Sequence, residues 1–109
     1  MKSDLRDDVV LFFAKFGLAL KSGTRMLAAL EHLEAEAATE ELKRAIAGIG
    51  EDVRAGRSIN ETLGSMPHLF DEQVLGLVKA GEDTGTLDVV FRALPEHLLA
   101  QGIREWAEE

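Results

Sequence analysis

Val9-Val10-Leu11-Phe12-Phe13-Ala14-Lys15-Phe16-Gly17-Leu18-Ala19-Leu20 is the longest apolar stretch of this 109-residue chain. Val9, Phe12, Phe13, Phe16 and Leu20 recur at helical spacing and form one broad stripe; Leu11, Ala14 and Leu18 form a second on another face. The reading is an α-helix starting near Asp7–Asp8, whose carboxylates suit a helix N-terminus, and ending at Gly23. A helix apolar on two sides is either central in a bundle or shared with a neighbouring subunit. Interrupted by Lys15 and Gly17, the stretch falls well short of the ~20 residues that span a bilayer.

Working outward, five more helices follow. Thr24 is placed to cap the second, with Met26, Leu27, Leu30, Leu33 and Ala37 facing inward. Thr39 caps the third, where Leu42, Ile46, Ile49 and Val53 keep the period. Gly48 and Gly50 inside it weaken the helix by roughly 1 kcal/mol each relative to alanine, so a close approach by another helix is expected there. Gly56 ends it. Ser58-Ile59-Asn60-Glu61 reads as a capping box that opens a short fourth helix burying Ile59 and Leu63. Pro67 stops that helix, and Leu69 and Phe70 plug the core from the connector. Asp71 caps the fifth, which runs to about Thr84 with Val74, Leu77 and Val78 inward, and Gly85 suits the left-handed residue beyond its end. The sixth begins near Thr86–Leu87 and buries Leu87, Val90, Phe91, Leu94 and Leu98. Pro95 is expected to kink or break it, with Leu99, Ile103 and Trp106 continuing the apolar face. Leu20-Lys21-Ser22-Gly23 and Val78-Lys79-Ala80-Gly81 echo each other, each resembling a helical hairpin with glycine at the turn. The fold class is all-α: a single six-helix bundle built from hairpins, residues 1–109 forming one domain.

Composition narrows the function. No cysteine is present, which removes disulfides, thiol nucleophiles and cysteine-based zinc sites. A net charge of −8 argues against nucleic acid and against anionic lipid headgroups, and favours a basic protein surface as partner. Met1–Asp8 is acidic and is not the basic start of a signal peptide.

Catalytic chemistry is not visible. His32, His68 and His97 are too widely spaced for a local metal motif. The acid pairs, such as Glu51–Asp52 and Glu82–Asp83, are sequence neighbours that point in different directions on a helix and make no general acid/base dyad. Residues 82–88 resemble the middle of an EF-hand loop, but the register puts Ala80 at its first position and Phe91 at its twelfth, where carboxylates belong. The chain is not expected to be an enzyme.

One pattern is more specific than composition. Ala80-Gly81-Glu82-Asp83-Thr84-Gly85-Thr86-Leu87 resembles the A-G-E-x-S/T-G-x-L signature of the type II secretion system F domain, a family that includes the inner-membrane platform proteins of type IV pili. Gly56-Arg57-Ser58-Ile59, followed by Leu63, Pro67 and Phe70, is similar to a second family segment. Leu18-Ala19-Leu20-Lys21-Ser22-Gly23 with Ala29-Leu30 resembles the opening hairpin. The motif residues that carry the resemblance are thus Ala80, Gly81, Glu82, Thr84, Gly85 and Leu87, with Gly56, Ser58, Pro67 and Phe70.

The resemblance implies a bundle on the cytoplasmic face of the bacterial inner membrane. It implies as partners the secretion or pilus ATPase, other platform proteins and further copies of itself, with membrane contact only through flanking segments. Within the motif, Gly81 is expected to allow close packing and Glu82 to bond free N–H groups where the sixth helix starts. The family hints at metal near this motif, which makes Glu82, aided by Asp83 or Asp88, the candidate ligand for a weakly held Ca²⁺; no other cofactor is expected. Leu11 and Leu18 are the candidate self-association residues of a homodimer. The alternative is a free-standing soluble cytoplasmic adaptor or regulatory module with the same fold. Family members alternate such domains with transmembrane helices, so this chain is read as an excised domain or a soluble relative.

Overall fold

Hydrogen bonds local to the chain set most of the helix boundaries. Thr39 has extended backbone (φ −127°, ψ 157°), and its side-chain oxygen accepts from the Leu42 N–H, which starts a helix at the next residue. Ser58 does the same for Glu61 N–H, and Asp71 for Val74 N–H. At the other ends, Gly23, Gly56 and Gly85 all take positive φ. In each case the residue after the glycine donates its N–H to a carbonyl five residues back: Thr24 to Ala19, Arg57 to Asp52 and Thr86 to Gly81.

A computed structural model describes residues 2–66 and 70–107, with side chains for residues 8–66 and 70–99. Among them run six α-helices: α1 Lys2–Lys21, α2 Met26–Glu36, α3 Glu40–Arg54, α4 Ile59–Gly64, α5 Glu72–Thr84 and α6 Leu87–Ala107. There is no strand among the described residues. The fold is an all-α bundle of hairpins. Helix α1 packs most extensively on α6 and also touches α2 and α3; each of the pairs α2–α3, α3–α4, α4–α5 and α5–α6 is in contact.

The core centres on aromatic rings. Phe13 and Phe16 of α1 are enclosed, and Phe16 stacks on Phe91 of α6 at 4.7 Å with 23° between the ring planes. Phe13 meets Phe91 at 5.5 Å and Phe70 edge-on at 5.6 Å, so Phe70 plugs the core from the segment before α5. Leu30, Ile46, Leu63 and Val74 are buried around this cluster, while Leu87 is half-buried against it. The α1–α6 crossing is tight because of Gly17. A methyl group there would stand 2.8 Å from the Arg92 backbone nitrogen and 3.0 Å from Phe91 Cβ.

Several expectations need correction. Helix α1 begins at Lys2 rather than near Asp7, since no proline or glycine lies between them to stop it. Arg25, not Thr24, is the N-cap of α2 and caps it without a side-chain bond, because Thr24 is drawn into the C-terminal motif of α1. Pro95 does not break α6, which continues as one helix from Leu87 to Ala107, with Leu94 and Leu98 buried on either side of the proline. Leu77 is 41% exposed rather than inward, and Leu99, on the continuing apolar face, is also 41% exposed. Gly48 and Gly50 admit no close neighbour: a methyl group on Gly48 would make an ordinary 3.6 Å contact with Met66, and one on Gly50 would meet nothing. Gly81 lies inside α5, so the structural counterpart of Gly23 is Gly85 and the apparent repeat is out of register. Pro67, His68 and Leu69 fall outside the described residues, as do the side chains of Ile103 and Trp106.

Candidate functional site

The segment 80–87 forms the end of α5, a turn, and the start of α6. Gly81 is buried where these two helices are closest: a Cβ there would stand 2.8 Å from Val90 Cγ2 and 3.2 Å from Leu87 Cδ2. Thr84 donates its hydroxyl to the Ala80 carbonyl at 2.8 Å and pairs with the Thr86 hydroxyl at 2.7 Å. Gly85 (φ 72°, ψ 27°) takes the left-handed conformation that reverses the chain, and its N–H donates to the Gly81 carbonyl.

Glu82 does not serve α6. Its carboxylate turns to α4, where Oε2 accepts the Ile59 N–H at 2.6 Å and Oε1 accepts the Asn60 N–H at 3.0 Å. The earlier segment supplies the remaining bonds. Glu61 N–H donates to Ser58 Oγ at 3.1 Å, and Ser58 N–H donates to Glu61 Oε1 at 3.0 Å. A helix begins with N–H groups that have no partner within it. Here every N–H from Ser58 to Glu61 has a carboxylate or hydroxyl acceptor, and the Thr62 N–H closes the first turn on the Ser58 carbonyl. The two sequence motifs are therefore one structure, joined through Glu82.

The box also fixes the charge of Glu61. Hydrogen bonds from the Ser58 backbone N–H and then its hydroxyl, helped by the nearby Arg57 guanidinium, hold the carboxyl below its ordinary value of 4.5. Gly56, at φ 94°, turns the chain out of α3 just before the box.

As chemistry, this arrangement is fully committed to backbone groups. Both Glu82 oxygens are engaged, and Asp83 is drawn to Lys79 at 3.8 Å. No three histidine, aspartate or glutamate side chains gather to hold a metal among the described residues. His32 is exposed, and His97 is half-buried with Nε2 enclosed and unpartnered. Leu11 and Leu18 are 52% and 59% exposed on α1. No helix of the described residues is long and apolar enough to cross a membrane.

A family profile described as type II secretion system protein F matches residues 12–107, which includes both motifs and nearly all of the bundle. The chain belongs to that family. It is 26% identical over 90 residues to the type II secretion system protein F of Vibrio cholerae, covering 83% of this chain and 22% of the relative. It is 29% identical over 91 residues to the type IV pilus assembly protein PilC of Thermus thermophilus, covering 84% and 22%. Protein F of Aeromonas hydrophila matches at 26% over 90 residues, covering 83% and 23%. This family member thus spans about a fifth of the length of the curated relatives it matches.

Sequence reading found the motif residues but misassigned the role of Glu82. A signal was present in the hydrogen-bond inventory. A capping box satisfies only the cap and third-position N–H groups, leaving those of Ile59 and Asn60 in need of an acceptor from elsewhere. In sequence Gly17 only interrupts an apolar run, and nothing local distinguishes it from Gly48 or Gly50.

Proposed function

We propose that this domain is a non-catalytic binding module of an inner-membrane assembly platform serving a type II secretion or type IV pilus system. It contacts the system's ATPase and other platform components from the cytoplasmic side. The observation that carries this reading is the family match, which extends across residues 12–107. Two features support a binding role. The polar side chains of the two motifs are spent on helix ends, which makes them architecture. A surface with a net charge of −8 suits a basic partner face and long-range attraction to it. The test is direct binding of the purified chain to the cytoplasmic ATPase encoded in the same genome, measured by interferometry in low and high salt. Saturable binding that weakens with salt is expected; no binding at micromolar concentration in either condition rejects the ATPase as partner.

The same reading includes self-association through α1. Leu11 and Leu18 lie two turns apart on one face and are the two most exposed large aliphatic side chains among the described residues. Light scattering of the chain at micromolar concentration is expected to give a dimer mass, and glutamate at both positions a folded monomer.

A further inference from the structure

A cleft of about 50 Å³ lies between α1 and the connector from α2 to α3. Its walls are largely apolar: buried Phe12, Leu33 and Leu42, with Ala37 and Ala38 of the connector. One wall carries Asp8 of α1, a half-buried residue whose Oδ2 is enclosed and accepts no hydrogen bond. Thr62 Oγ1 and His97 Nε2 share that condition, but neither belongs to a carboxylate or lines this cleft. An enclosed carboxylate oxygen without a donor is costly to the fold, so its place in a cleft points to a donor that arrives from outside.

Charge and size define the donor. Lys15 and Glu36, also in the cleft, bond each other at 3.2 Å, which cancels their charges and leaves Asp8 Oδ2 without a cation. Helix α2 ends here: its C-cap Ala37 is in the wall, and its last turn holds no basic residue to meet the partial negative charge of a helix end. The positive start of α3 is already met by the Thr39 hydroxyl and by Glu40 and Glu41. The local field therefore favours a cation. A metal ion such as Ca²⁺ needs several oxygens, and no three histidine, aspartate or glutamate side chains gather among the described residues. At about 50 Å³ the space is less than twice the ~30 Å³ of a water molecule in the liquid. That suits an ammonium and its last methylene better than a planar guanidinium, which is made to bind two acceptor oxygens. Lysine carries that head on a stem that lies readily along apolar walls.

We propose that this cleft is the socket for a lysine side chain of a basic partner protein, its ammonium donating to Asp8 Oδ2 and its stem lying on Phe12, Ala37 and Ala38. This rests on the reading of the domain as a binding module for a basic partner, and assigns one contact of that module to named residues. Amide shifts of the isotope-labelled chain, followed by nuclear magnetic resonance, test it. The probes are a blocked tripeptide, acetyl-Leu-Lys-Leu-amide, and its uncharged counterpart with norleucine in place of lysine. The lysine peptide is expected to shift the Asp8, Phe12, Ala37 and Ala38 amides saturably at millimolar concentration. The norleucine peptide on wild type, and the lysine peptide on Asp8→Asn, are expected to bind at least about tenfold more weakly. Glu51→Gln, at an exposed carboxylate of α3, should leave the affinity unchanged. No saturable shift at those amides overturns the socket. Equal affinity of wild type for the two peptides, or of the lysine peptide for wild type and Asp8→Asn, overturns it as well, since the attraction then owes nothing to that carboxylate. The outcome is separable from ATPase binding. A chain that takes the lysine peptide at Asp8 but does not bind the ATPase keeps the socket and loses that partner. A chain that binds the ATPase but fails the peptide tests keeps the module and loses the socket.

Discussion

The Glu82 carboxylate lies 2.6 Å from the backbone nitrogen of Ile59, so the end of α5 holds the beginning of α4 across 23 residues of sequence. Helix α4 has only six residues, too few to be stable by itself. Its stability comes from burial of Ile59 and Leu63 and from acceptors for its first N–H groups.

Removing that carboxylate should therefore be felt at α4. A hydrogen bond to a charged group contributes about 1.5–3 kcal/mol, and Glu82 accepts two from one side chain. Glu82→Ala is expected to lower stability in urea by about 2 kcal/mol or more. Glu82→Gln, whose amide oxygen can accept only one of the two, should not restore wild-type stability. Hydrogen exchange at the Ile59 and Asn60 amides should accelerate in both variants. Unchanged exchange at those two amides would show that water replaces the carboxylate without loss.

Two glycines of α5 should respond oppositely to alanine. At Gly81 the added methyl group meets Val90 Cγ2 at 2.8 Å, and pushing α5 from α6 costs about 1–3 kcal/mol. That outweighs the gain of roughly 1 kcal/mol in helix propensity. At Gly76 nothing lies within 4 Å, so the propensity gain stands alone. Thermal unfolding should show Gly81→Ala melting below wild type and Gly76→Ala above it. The same sign for both would mean that the α5–α6 contact relaxes freely.

What the sequence made legible follows from distance along the chain. The caps at Thr39, Ser58 and Asp71 were readable because donor and acceptor lie three residues apart, and Gly85 because a helix end needs a left-handed residue. The core positions on α3 and α6 followed from period alone. The target of Glu82 was not readable, since a partner 22 or 23 residues away depends on how hairpins stack. For the same reason Leu77 looked as inward as Val78, until the placement of α4 and α6 left it facing water. Gly17, Gly48 and Gly50 look alike in sequence; only the crossing of α1 with α6 gives the first its purpose.

The capping box should make stability depend on acid. The Glu61 carboxyl is held below its ordinary 4.5 in the folded chain, chiefly by the Ser58 N–H. Its contribution is present above the unfolded value and is lost as pH falls through the lower folded value. Stability measured from pH 6 down to pH 3 should fall more steeply in wild type than in Glu61→Gln, which has no proton to take up. Identical slopes would place the acid sensitivity in other carboxylates.

Proline inside α6 supplies the last test. Pro95 has no N–H for the Phe91 carbonyl, and a proline in a helix interior is about 3 kcal/mol less favourable than alanine. It also stiffens the unfolded chain, which returns about 0.4–1 kcal/mol when the folded geometry is compatible. The balance predicts that Pro95→Ala stabilises the chain by roughly 2 kcal/mol. Against this stands the packing of Phe91, Leu94 and Leu98, which are buried on both sides of the proline and are fitted to the path α6 now takes along α1. Alanine leaves that path accessible and restores one hydrogen bond, so the melting temperature should rise and the α6 amides should exchange more slowly. A lower melting temperature would show instead that the core depends on the backbone shape proline imposes.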